Sequence, residues 1–384
     1  MLDINAMLSD RAKGISSSGI RRIFELGKTL ENPINFSIGQ PDFPVPEVIK
    51  RGAIEAIEQD ANGYTLTSGD PKLLQRIASF LQEDVGWDLS SDDLDVMVTS
   101  GTSGGIFLAM LAVLNPGDEM IFADPWFLIY PALATLCGAV AVPCDTYPDF
   151  RLTAERVEPL ITDRTRVLLV NSPGNPSGVV LTEQEMNDLA DLCASRGVLL
   201  ISDEIYDVLT CREHWSRGCR CPSPATRHND LLLVRGFGKS LGCTGWRLGY
   251  AAGPAALIAK MATLQQYTFV CAPSMAQAGV IPAFDIDMAP LAECFHERRD
   301  RVVAAFDGVT ELTTPSGAFY AFPKIPESLG MSGTAFAEAA IDENVLLIPG
   351  GAFSNRDTHV RISYAVDDET LDEGLGILRA MMRQ

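Results

Sequence analysis

Positive charge is scarce in this 384-residue sequence: 30 lysines and arginines stand against 50 aspartates and glutamates, a formal net charge of −20. A surface of that sign repels phosphate backbones, which excludes nucleic acid as a main partner. There is no apolar run near the roughly 18 residues a membrane helix needs, so no membrane association is expected. Met1 to Asp10 carry acids and no basic segment, so no secretory signal is expected and the expected compartment is the cytoplasm. The nine cysteines are odd in number and scattered, which reads as reduced thiols rather than a disulfide framework. Short-period repeats and low-complexity linkers are missing, as are a G-x-G-x-x-G fingerprint and a Walker loop. An acidic chain that handles anions must concentrate positive charge locally, so isolated arginines become informative.

What is present is an alternation of short apolar runs and helical stretches. Asp95–Thr99 reads as a strand and Ile106–Leu114 as a helix stopped at Asn115-Pro116-Gly117. Glu119–Phe122 and Arg166–Val170 read as further strands, the second uniformly apolar as a strand covered on both faces should be. Thr182 to Glu185 is a capping box opening a helix to about Arg196, with Gly197 as its C-cap. Val198–Ile201 and Leu231–Val234 are two more buried strands. The pattern predicts an α/β fold with a parallel sheet covered by helices, whose ligands sit at the carboxyl ends of strands. Before it lies one helix around Ile20–Leu30; after about residue 285, helices mix with short amphipathic strands.

Four polar stretches directly follow apolar strands: Ser100–Gly105, Asn171–Gly178, Asp203–Tyr206 and Gly236–Lys239. The first is a glycine-rich turn feeding a helix N-terminus, which offers free N–H groups and a positive dipole end to a phosphate. An ordinary strand–helix turn has the same composition. Asp203 ends an apolar strand, where a carboxylate needs a partner such as a protonated pyridine nitrogen; a helix N-cap is the plainer alternative. Lys239, desolvated in a crevice, would become the neutral amine that forms imines with carbonyls, although most lysines are surface residues. Arg247 lies eight residues on and supplies a phosphate fork.

In their order and setting, these residues resemble the class I/II aminotransferases, pyridoxal 5'-phosphate (PLP) enzymes of fold type I. The resemblance covers nearly the whole chain. It is carried by Phe36–Phe43 (FSIGQPDF), Tyr64 with Gly69-Asp70-Pro71, Asn115–Asp118 (NPGD), Asn171–Gly178 (NSPGNPSG), Ser202–Tyr206 (SDEIY), Lys239 with Thr244–Arg247 (TGWR), Gly317–Tyr320 (GAFY) and Val360–Ser363 (VRIS). The Ser18–Arg21 start is similar to the aspartate or aromatic branch. The resemblance implies a large PLP-binding domain over 46–284 with a mainly parallel seven-stranded sheet covered by helices. Residues 1–45 and 285–384 would form an N-terminal arm plus a smaller α+β domain.

It further implies that Lys239 is the Schiff-base lysine and proton shuttle, and that Asp203 keeps the pyridine nitrogen protonated. Asn175 and Tyr206 would hydrogen-bond the phenolic oxygen, and Phe127 would stack on the ring. Gly101, Thr102 and Ser103 would cradle the phosphate with Arg247. Tyr64 would reach the phosphate of a neighbouring subunit in a homodimer with shared sites. Arg361 would bind the substrate α-carboxylate, beside the Gly39 backbone and Asn175. The implied reaction is ping-pong amino transfer from an L-amino acid to a 2-oxo acid, 2-oxoglutarate or pyruvate. A β-lyase of the cysteine-S-conjugate type is the alternative; a PLP-binding regulator or a degenerate, non-catalytic relative fits less well.

Two departures stand out. The stretch before the lysine is Gly236-Phe237-Gly238, without the two serines that relatives often carry. Ser103 and Gly104 stand where longer polar residues are found in relatives with acidic substrates, and no arginine is evidently dedicated to a side-chain carboxylate; Arg21 and Arg22 are the nearest candidates, although a solvated helix face is the plainer reading of both. With Phe127, Tyr130 and Phe269 expected to line or back the pocket, this predicts a neutral apolar or aromatic donor; Trp126 is expected either beside them or simply in the core. Cys211, His214, Cys219 and Cys221 crowd one stretch, but their spacing fits no zinc pattern, so no metal is expected. His359 is expected to pack near Arg361.

Overall fold

The computed structural model describes residues 2–15, 23, 27 and 30–384. The Ser18–Arg21 stretch and both Arg21 and Arg22 lie outside the described residues, as does most of the helix expected around Ile20–Leu30; Ile23 and Gly27 are described and helical.

After a two-residue strand β1 (Ile34–Asn35), seven strands build the central sheet: β2 (Leu94–Ser100), β3 (Glu119–Asp124), β4 (Val140–Asp145), β5 (Thr165–Asn171), β6 (Leu199–Asp203), β7 (Leu232–Gly236) and β8 (Leu248–Pro254). Their order is β2-β8-β7-β6-β5-β3-β4. All neighbours are parallel except β8, which runs antiparallel to both β2 and β7. The sheet is therefore mainly parallel, as expected. Its inner strands are mostly apolar because both faces are covered. On β5, Leu168 and Val170 enter one core while Val167 and Leu169 enter the core on the other face. The expected helices form, with shifted starts. That after β2 spans Gly101–Val113, so its first turn includes the glycine-rich segment. Thr182 and Glu185 form the capping box of Glu183–Arg196, which ends on Gly197 at φ +66.

The remaining strands are short: β9 (Tyr320–Ala321), β10 (Val345–Leu346), β11 (Ile348–Pro349) and β12 (Val360–Ser363). They form an antiparallel sheet β11-β12-β9 and a parallel pair β1-β10. An aromatic core that includes Phe36, Phe295, Phe306, Phe319, Phe322 and Tyr364 holds them against the helices Ala289–Phe306 and Asp368–Met381. Ser363 N–H donates to Phe36 C=O (2.9 Å), which lays the segment after β1 alongside β12.

Candidate active site

The carboxyl ends of β2, β5, β6 and β7 open on one cavity of about 390 Å³. Its walls include Gly39, Gly101, Thr102, Ser103, Phe127, Asn175, Asp203, Tyr206, Lys239, Arg247 and Arg361. Eleven of the twelve residues singled out from the sequence thus meet in one place. The twelfth, Tyr64, does not line the cavity and is 87% exposed.

At the end of β2, Ser100 caps the helix Gly101–Val113 without any side-chain hydrogen bond. The first-turn N–H groups are therefore left for a ligand, and they carry the positive end of the helix dipole. Gly101 has φ +69, and a Cβ there would stand 2.8 Å from Arg247 Nη2. Glycine therefore lets the guanidinium come close to the helix N-terminus, and the two together form a cradle suited to a phosphate. Arg247 is itself left-handed (φ 54) and donates from Nη1 to Thr244 C=O at 3.1 Å.

Asp203, at the end of β6, is 3% exposed. Burial pushes its carboxyl up to about 6, against the pull of two hydrogen bonds: Tyr130 Oη donates to Oδ2 (2.8 Å) and Ile205 N–H to Oδ1 (3.3 Å). No helix follows it, so the N-cap alternative falls away. Asn171, at the end of β5, ties two neighbours together: its Nδ2 donates to Asp203 C=O (3.0 Å) and its Oδ1 accepts from Asn175 N–H (2.9 Å). Tyr206 and Tyr320 share a hydroxyl hydrogen bond at 3.0 Å.

Lys239 follows β7 in the short helix Phe237–Ser240. Its Nζ donates to Gly39 C=O. Desolvation, then the positive charges of Arg361 and Arg247, lower its ammonium to about 8. A nucleophilic amine and a buried acid thus share one chamber. Arg361, on β12, is 3% exposed; it donates to Asn175 Oδ1 (3.1 Å) and Ser37 C=O (2.7 Å), while its Nε has no partner. Its guanidinium lies over the rings of Tyr320 and Phe353. An anion is the natural complement of such a group.

The expected positions of several aromatics need correction. Phe269 does not line the cavity; it is 40% exposed and sits against Phe107. Trp126 packs edge-on to Phe122 against the core, the second of its two expected places, and does not line the cavity. Tyr130 lines it, but its hydroxyl is committed to Asp203 rather than to a substrate pocket. His359 stacks on Phe322 (4.9 Å) with Tyr147 and Phe150 around it, and takes no part in the cavity. Sequence reasoning missed Tyr130's bond, Asn171 and Tyr320. The four residues of the cysteine-rich stretch do not converge: Cys211 is grouped with Glu213 and His296, where Arg299 donates to Glu213.

The donor set fits PLP. A cradle suits the phosphate, a buried carboxylate the pyridine nitrogen, Phe127 the ring face, and an amine of lowered basicity the aldehyde.

A family profile described as aminotransferase class I and II matches residues 31–378. An aspartate aminotransferase of Rhizobium meliloti is 34% identical, covering 97% of this chain and 97% of its own. An aromatic-amino-acid aminotransferase of Thermococcus litoralis is 30% identical, covering 98% of each. The crystal structure of an aspartate aminotransferase from Thermotoga maritima superposes with a TM-score of 0.91 at 30% identity, over 98% of this chain and 100% of that one. Among the described residues, no helix is long and apolar enough to cross a membrane.

Proposed function

The chain belongs to the class I and II aminotransferases, PLP-dependent enzymes, and on that premise we propose that it moves the amino group of a neutral L-amino acid to a 2-oxo acid such as 2-oxoglutarate or pyruvate, by a ping-pong cycle in one cavity. The observation that carries this reading is the convergence of Lys239, Asp203, the Gly101–Arg247 cradle and Arg361 on a single chamber.

Bound there, PLP supplies an electron sink for the charge that develops at the substrate Cα. The protein's own residues do the rest. Gly101, Thr102 and Ser103 with Arg247 hold the phosphate. Asp203, oriented by Tyr130, holds a proton on the pyridine nitrogen. Phe127 covers the ring, and Asn175 and Tyr206 bond its phenolic oxygen. Lys239 would hold the cofactor's aldehyde carbon, and its amine, free of the cofactor, would be the base for the proton at the substrate Cα. Arg361, steadied by Asn175, takes the α-carboxylate beside Gly39. Tyr64, exposed in the single chain, completes the phosphate site of a second copy in a homodimer. Gly39 and Arg361 come from the 1–45 and 285–384 part and the other site residues from 46–284, so substrate binding bridges the two proposed domains.

Selectivity follows from charge. Among the described lining residues the cations are Lys239, Arg247 and Arg361, each already assigned. A second carboxylate on the donor would meet no fixed partner among these, at a cost of several kcal/mol; an acidic acceptor such as 2-oxoglutarate needs a cation from elsewhere, and Arg21 and Arg22 are the candidates the sequence offers. Ile38, Ile106 and Ile129 line the same chamber and suit an apolar side chain. The test is a panel of twenty amino acids against 2-oxoglutarate and pyruvate, reading both products. A stoichiometric new amino acid supports transfer; ammonia and pyruvate from a β-substituted donor would indicate a lyase. Aspartate exceeding phenylalanine in kcat/KM by more than about a hundredfold, roughly 2.7 kcal/mol, would overturn the apolar reading.

A further inference from the structure

Behind the cavity, away from its ligands, lies a buried cluster of six charged groups: Asp84, Glu204 and Asp207 against Arg217, Arg220 and Arg235. Three charges of each sign make it neutral. At its centre is Arg235, whose side chain is 2% exposed. Its Nη2 pairs with Glu204 Oε2 (2.9 Å) and its Nη1 with Asp84 Oδ2 (2.7 Å). Nε also donates to Glu204 Oε2, at 3.0 Å. Glu204 is fully buried, its other oxygen accepting from Ser202 and Ser223. The cysteine-rich stretch has a purpose here: it delivers Arg217, on Asp84 at 3.2 Å, and Arg220, on Asp207.

The placement in the chain is what matters. Glu204 is the residue after Asp203, and Arg235 lies on β7 four residues before Lys239. One guanidinium therefore clamps together the two strand ends that carry the acid and the amine. Two glycines stand between Arg235 and Lys239: Gly236 closes β7, and Gly238 lies in the short helix Phe237–Ser240. A Cβ at Gly236 would crowd Ile205 Cδ1 at 2.8 Å and Thr102 Cγ2 at 3.0 Å. Neither glycine brings a side chain to pack the link, so its placement depends on its neighbours.

We propose that Arg235 is a positioning residue that, through its two-pronged grip on Glu204, sets the distance between Asp203 and Lys239 so that one cofactor reaches both. The proposal rests on the roles assigned to Lys239 and Asp203 under the proposed function. An ångström of misplacement costs on the order of a hundredfold in rate, and lysine cannot reproduce the guanidinium's planar fork.

The test compares Arg235→Lys with Arg217→Met. The first keeps the charge but loses the fork; the second removes an arginine of the same cluster that does not touch Glu204. PLP affinity, the pH midpoint of the bound cofactor's visible band, the thermal midpoint, kcat and KM are read for each. Arg235→Lys should weaken PLP affinity about tenfold, the size of one lost charge-assisted hydrogen bond. It should also displace the band's midpoint and lower kcat more than it raises KM. Arg217→Met should lower the thermal midpoint and leave affinity and band unchanged. Wild-type affinity and band in Arg235→Lys would overturn the proposal, as would equal displacement by both variants. A wild-type protein that captures no PLP on Lys239 would instead overturn the underlying assignment.

Discussion

Replacing Tyr130 by phenylalanine removes one hydroxyl and nothing else from the wall of the cavity, and its effect can be worked from the geometry. The hydroxyl donates to Asp203 at 2.8 Å and pulls down a carboxyl that burial has raised to about 6. A hydrogen bond to a charged group is worth about 1.5–3 kcal/mol, or about one to two pKa units. The variant's carboxyl should therefore titrate above about 7. At pH 7 the ionised fraction falls from about nine-tenths to between roughly a half and a tenth. Since only the carboxylate holds the pyridinium, PLP affinity should fall by about two- to tenfold at pH 7. The deficit should grow below pH 6 and nearly vanish by pH 9. The assay is titration of cofactor-free protein with PLP from pH 6 to 9, each point referred to wild type so that the phosphate's own titration cancels. Folding stability gives an independent check. A carboxyl raised from 3.8 to about 6 is neutral, and free of cost, below pH 3.8; stability is lost as pH rises to about 6, by about 3 kcal/mol. In the variant that loss should continue to higher pH. An affinity ratio that stays flat from pH 6 to 9 would refute the reasoning.

Two further outcomes are expected of the same cavity. Lys239, with its ammonium lowered to about 8, should be about one-tenth neutral at pH 7, so the rate at which cofactor-free protein captures PLP should fall tenfold per pH unit below 8; borohydride should then fix the label on Lys239, and a rate still rising steeply at pH 10 would contradict the lowered value. Gly101→Ala forces a side chain into a φ of +69 and against Arg247, costing about 1–2 kcal/mol of stability; binding of PLP should weaken while binding of pyridoxal, which lacks the phosphate, should not.

The parallel strands are legible because each is a short apolar run ending in polar residues: β5, β6 and β7 announce themselves through Arg166–Val170, Val198–Ile201 and Leu231–Val234. Two strands are hidden in the sequence for physical reasons. β4 is a sheet edge, half-exposed and interrupted by Pro143, which only an edge tolerates. β8 reads LGYAAGP, poor in strand-forming residues; it is extended because β2 and β7 pair with it on both sides. Helix formation at Gly101–Gly105 is similarly hidden, since glycine disfavours helices and only close packing on the sheet favours it there. Of the site, residues with a motif of their own are visible. Tyr130 is visible as an aromatic, but its hydrogen bond spans 73 residues and leaves no local pattern. Arg235 does leave a signal, a charge directly after Leu231–Val234, which demands a buried partner.

Three cations among the described residues line the cavity, in a molecule whose net charge is −20. An anionic cofactor or substrate arriving from bulk meets two fields of opposite sign. At long range the summed acids repel it, and only within about a Debye length of the cavity mouth, about 8 Å at physiological salt, do Lys239, Arg247 and Arg361 take over. Salt thins the outer field first. Moderate ionic strength should therefore hasten the arrival of anions, the reverse of ordinary electrostatic steering, until at about 1 M, where the screening length is about 3 Å, the inner attraction weakens as well.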